Sequence, residues 1–161
     1  MEIEMRIRGL MMDPVTNQPI VVLRDTKGEA VLPIWVGLYE ANAIALEIEK
    51  TAMPRPMTHD LIKNVIAGMD GQIQRVVVTE LREDTFYAVI WIERAGSFIA
   101  VDSRPSDALA VALRTDCPIF VDEIVLKSSK LSALANQQVS SEDLRRWLEG
   151  LGDEDLGRYK M

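Results

Sequence analysis

The chain has 161 residues, 48% hydrophobic and 27% charged, the balance of an ordinary soluble domain with a buried core. No apolar run approaches the roughly 20 residues that cross a bilayer, and a single cysteine, Cys117, excludes an internal disulfide framework and Cys-rich zinc sites. A formal charge of −7 weighs against nucleic-acid binding by bulk electrostatics, because phosphate contacts need Lys and Arg.

In chain order, "MEIEMRIRGL" is charged and alternating, unlike a signal peptide, so a cytoplasmic protein is expected. The period of two over residues 2–10 predicts a half-buried strand. "DPVTNQP" is turn chemistry, and "IVVLRD" and "AVLPIWVG" read as two further strands. Ala41, Ile44, Ala45 and Ile48 then fall at helical spacing, predicting a helix over about 38–50. "TAMPRPMTHD" breaks regularity, and Thr58 is a candidate cap for a helix carrying Leu61, Ile62, Val65 and Ile66.

"QRVVVTEL", "TFYAVIWIE" and "SFIAVDS", separated by turns at Glu83–Asp84 and Ala95–Gly96, predict a three-stranded meander. An Ala-rich helix opened by Pro105 follows, then a short strand at 118–121 and short helical turns over 122–135. "SSEDLRRWLEG" predicts a capped helix in an acidic tail. The expected fold is therefore α+β, with an antiparallel or mixed sheet under Ala-rich helices. It is built from two weakly repeated strand–strand–strand–helix units over 1–135, plus a helical tail over 136–161.

Two polar clusters interrupt this apolar chain. In "VDSRPSDALAVALR", Asp102 ends a strand, while Ser103, Arg104, Ser106 and Asp107 open a helix. Helix capping explains part of this, since a first-turn carboxylate is favoured by the helix dipole and can accept backbone N–H groups. Beyond capping, a helix N-terminus beside a planar guanidinium can receive an anion. Asp102 and Asp107 could orient water or hold a divalent cation such as Mg²⁺.

The second cluster, "RPMTHD", holds the only histidine, His59, with Asp60 as a carboxylate that could orient it and Arg55 as a phosphate contact. Its bland alternative is an ordinary first helical turn. Glu40, in the first turn of the earlier Ala-rich helix, takes the place there that Asp107 takes in the second. Cys117 reads as a small buried hydrophobe rather than a nucleophile. Trp35, Trp91 and Trp147 read as core or subunit packing.

The blocks "LPIWVG" with Glu40–Ala41, "RPMTHDLI", "TFYAVI" and "SRPSDALAVALR" followed by "PIFV" resemble, in order and separation, the bifunctional nuclease domain family. The resemblance implies an α+β fold and hydrolysis of DNA and RNA. It carries over Arg55, His59 and Asp60, and Arg104, Ser106 and Asp107.

Three functions are thus in competition. In a nuclease, His59 is the base, Asp60 orients it, Asp102 and Asp107 position water or metal, and Arg55, Arg104, Ser106 and Glu40 contact substrate. The second is a non-catalytic module for a small anionic ligand or a protein partner. The third is a purely structural oligomer. DNA or RNA would bind through a local patch, no membrane is involved, and apolar strands lead us to expect a homo-oligomer, taken as a dimer.

Overall fold

The computed structural model describes residues 1–135; the expected helical tail over 136–161, with Trp147, lies outside them. Strands β1 (Glu2–Met12), β2 (Pro19–Asp25) and β3 (Val31–Trp35) form one meander, followed by α1 (Leu38–Ile48) and α2 (Thr58–Gly68). Strands β4 (Gly71–Arg82), β5 (Thr85–Arg94) and β6 (Ser97–Ser103) form the second, followed by α3 (Pro105–Thr115), β7 (Ile119–Asp122) and α4 (Glu123–Ala135). One seven-stranded sheet results, in the order β3-β2-β1-β7-β4-β5-β6.

Each meander runs outward from the centre, and β7 sits between them, antiparallel to β1 and parallel to β4. The fold is α+β with a mixed sheet, and each meander hands its third strand to an Ala-rich helix, as the sequence predicts. The two-residue turns Glu83–Asp84 and Ala95–Gly96 have positive φ throughout, the hairpin geometry that matches strand twist.

Alternation decides which side chains enter the core. Val21 and Leu23 of β2, Val76 and Val78 of β4, Ala88 and Ile90 of β5, and Ile119 and Val121 face the helices. Ile20 and Val22, one residue out of phase, join Met11 in a smaller cluster on the opposite face. Helix α3 lies at the centre of the helical layer, touching α1, α2, β4 and β5. Its residues Ala108–Ala112 are at most 1% exposed. Small alanines let the helix approach on all sides, and truncating Leu109 there would cost about 2–5 kcal/mol.

The structure differs from expectation in three places. Residues 123–135 form one continuous helix rather than short turns; the Asp122 carboxylate accepts the Ile124 N–H at its start, a side-chain stop for an orphan donor. Thr58 is the first residue of α2 and not its cap. Asp60 caps that helix instead, its Oδ2 accepting the Met57 N–H at 2.9 Å. Finally, α3 has no side-chain cap: Arg104 is its N-cap, and Ser103 Oγ donates to the Arg104 carbonyl.

Candidate functional site: a His–Asp–Arg–Glu chain across three helix starts

Glu40, His59 and Asp107 all stand in first helical turns, of α1, α2 and α3 respectively. Contacts among these helices bring the three starts together, so their partial positive ends converge on one region. His59 is the one buried residue of α2, 8% exposed. Its Nε2 meets Asp107 Oδ1 at 2.9 Å, across 48 positions of sequence. Arg104 Nε donates to Asp107 Oδ2 at 2.8 Å, and Arg104 Nη1 donates to Glu40 Oε1 at 2.8 Å, across 64 positions.

The protonation pattern follows from these partners. A carboxylate only accepts, so the proton of neutral His59 sits on Nε2, and Nδ1 carries the lone pair. Among the described residues Nδ1 has no partner, and no buried side-chain polar atom is left unsatisfied. Burial pushes the Asp107 carboxyl up, but the bonds from Arg104 and His59 outweigh it and hold it below the usual range. Asp107 in turn, with Glu40, raises the Arg104 guanidinium above its already high value. Arg104 spends Nε and Nη1 on carboxylates, while the side chain stays 65% exposed. The rest of its five-donor fork is open to an incoming group.

Gly37 permits part of this geometry. A Cβ at that position would collide with the Glu40 carboxylate, which folds back over the start of α1. A side chain there would require the Glu40 carboxylate to shift.

Asp60 has a different task from the one expected. It makes no hydrogen bond to His59; the carboxylate bonded to His59 is that of Asp107. Besides Met57 N–H, Asp60 accepts Arg114 Nε at 2.8 Å. Arg114, 3% exposed at the side chain, also donates to the carbonyls of Ala110 and Ala43. It therefore ties α1, α2 and α3 together directly behind the site. The Met57 N–H, against the cost of burial and with help from Arg114, holds the Asp60 carboxyl below its ordinary value. Arg114 went unnoticed in the sequence. Its signal is a spacing of seven from Asp107, which places both on one stripe of α3.

Asp102 does not join the cluster. It pairs with Val89 in the sheet, out of phase with core-facing Ala88 and Ile90, so it is exposed on the face away from the helices. The expected cation site at Asp102 and Asp107 is not formed: both Asp107 oxygens are engaged by His59 and Arg104. Among the described residues no group of three or more His, Cys, Asp or Glu is arranged to hold a metal ion. Ser106 is buried at the second position of α3 and makes none of the cluster's bonds. Arg55 lies in the loop before α2 and lines a pocket of about 360 Å³ with Met53, Met57, Asp60, Asn64 and Arg114.

Cys117 is partly buried, and burial pushes its thiol up, against a nucleophilic role. Trp35 is 38% exposed and donates its indole N–H to Asp13; Trp91 lies under the Arg75 guanidinium. No helix among the described residues is long and apolar enough to cross a membrane.

The family model for the bifunctional nuclease domain matches residues 21–133. An uncharacterized protein of Mycobacterium tuberculosis is 37% identical over 95% of this chain and 97% of its own length. Bifunctional nuclease 1 of Arabidopsis thaliana is 24% identical over 76% of this chain, and bifunctional nuclease 2 of Oryza sativa subsp. japonica 30% identical over 65%. The chain spans 39% and 33% of those two plant proteins. With more than half its length matched and its blocks carrying the clustered residues, the chain belongs to the bifunctional nuclease domain family.

Proposed function

We propose that the protein is a nuclease hydrolysing phosphodiester bonds of DNA and RNA, with His59 Nδ1 as the general base. The observation that carries this reading is the His59–Asp107 bond. It fixes the imidazole in the tautomer whose open nitrogen can take a proton, and it stabilises the imidazolium once formed. Asp107 is a positioning residue. Arg104, with donors to spare beside three helix N-termini, receives the phosphate.

As water attacks phosphorus, His59 takes its proton, a new P–O bond forms, the old one breaks, and the leaving oxygen takes a proton from solvent. The pocket beyond Asp60, with Arg55 as its cation, supplies contact area for the adjoining nucleotide.

The test is cleavage of single-stranded DNA and RNA by identically purified wild type and His59→Ala. Loss of the base should slow cleavage by about 10²–10⁴-fold. Equal cleavage by both points to a contaminant and defeats the reading. A module that binds a small anion without cleaving it is the competing reading, favoured by the two carboxylates that already flank Arg104. It predicts a thermal shift with inorganic phosphate or a mononucleotide and no cleavage by either protein.

A further inference from the structure

The pocket beyond Asp60 has a floor whose polar groups are spent and a rim whose polar groups are not. Both Asp60 oxygens are taken, by Arg114 and by the Met57 N–H, and Arg114 spends Nε, Nη1 and Nη2. Arg55 and Asn64 line the same space of about 360 Å³, a volume in the range of small-molecule sites. Neither side chain makes a hydrogen bond or ion pair among the described residues. Glu47, also on the rim, has one partner, the Lys50 ammonium at 3.8 Å. That lysine is 80% exposed, whereas the Glu47 side chain is 28% exposed. A loose surface pair of this kind is worth little, so a largely enclosed carboxylate is left open to a closer donor.

The helices fix where these groups stand. Asn64 lies one turn after Asp60 on α2, on the same face. Glu47 lies one turn after Ala43, whose carbonyl accepts Arg114, on the corresponding face of α1. The loop between the two helices carries Arg55 to the rim and adds Met53 and Met57 to the wall. Methionine thioethers make favourable contacts with aromatic rings, so the wall suits a flat aromatic ligand with polar edges.

The free groups select among such ligands. A carboxylate only accepts, and a guanidinium only donates. Of the four common bases, guanine alone offers two adjacent donors, N1–H and N2–H, together with two adjacent acceptors, O6 and N7.

We infer that this pocket is a guanine-recognition subsite, with Glu47 accepting from N1–H and N2–H and with Arg55 and Asn64 donating to O6 and N7. The inference rests on the nuclease reading for what the base is attached to. His59 and Asp60 are neighbours in the first turn of α2, one bonded to Asp107 and the other lining this pocket. A nucleotide lying across that turn has its phosphate on one side and its base on the other, and cleavage is then selective for guanine beside the scissile phosphate.

Titration calorimetry with the 5′-monophosphates of guanosine, adenosine, cytidine, uridine and inosine tests the inference. None of them has an internucleotide bond, so the readout does not depend on cleavage. Wild type should bind the guanosine nucleotide at least about tenfold more tightly than the other four, including that of inosine, which differs from it only in lacking the N2 amino group. Glu47→Gln should bind the guanosine and inosine nucleotides alike. No binding, equal affinities in wild type, or a Glu47→Gln protein that keeps the guanosine preference overturns the inference. The inosine comparison uses wild type alone and decides the matter even if Glu47→Gln does not fold. His59-dependent cleavage without a guanosine preference removes this inference and leaves the nuclease reading standing; a guanosine preference without cleavage does the reverse.

Discussion

Helix α3 carries an arginine at each end, and the two are used in opposite ways. Arg114 is enclosed: its side chain is 3% exposed and bonded to Asp60, Ala110 and Ala43. Arg104 is 65% exposed and leaves part of its donor fork open. A guanidinium with every contact internal serves as a strut, whereas one held by two carboxylates at a helix start keeps its remaining donors toward solvent. Adjacent residues of α2 divide in the same manner, with Asp60 facing the strut and His59 the open cluster.

The largest expected effect separates these roles. Arg114→Ala removes the buried side chain that bonds Asp60, Ala110 and Ala43 and leaves its space unfilled among three helices, and should cost about 2–5 kcal/mol in urea unfolding. Asp60→Asn keeps acceptor capacity and loses the charge, at about 1–2 kcal/mol. Arg104→Ala should change stability by less than about 1 kcal/mol, because exposed pairs contribute little, while weakening phosphate binding or cleavage at least tenfold. A large stability loss for Arg104→Ala together with unchanged binding would erase the distinction.

Acid sharpens the comparison further. Asp60 and Asp107 both have carboxyls held below the ordinary range in the fold. The stability they contribute is complete above their unfolded pKa of about 3.9 and is lost as pH falls through the lower folded values. Wild type should therefore lose stability steadily below about pH 4, and Asp60→Asn should flatten that limb in a pH series of unfolding midpoints. Smallest of all, Gly37→Ala should cost no more than about 0.5 kcal/mol, the Glu40 carboxylate shifting aside, with a modest fall in any Arg104-dependent binding.

Much of the fold was readable because its signals are local. Alternation in the meanders, paired turn residues and alanines at helical spacing each report on their own segment. The site was readable only as two separate clusters. Nothing in the spacing of "RPMTHD" and "SRPSD" says that His59 prefers Asp107, 48 residues away, to its neighbour Asp60. That choice is made by the packing of α2 against α3. Asp102 was misplaced for a more elementary reason: its strand parity, one position from Ser103, puts it on the far face. Arg114 was passed over because a basic residue in a last helical turn looks like ordinary dipole complementation, and its burial depends on both neighbouring helices.

The central claim is that His59 and Asp107 act as one unit, and a double-mutant cycle on cleavage rate tests it most directly. His59→Ala and Asp107→Asn should each slow the reaction strongly, and the double variant should be no slower than His59→Ala alone. Multiplying losses in the double variant, or an Asp107→Asn protein as fast as wild type, would contradict the account.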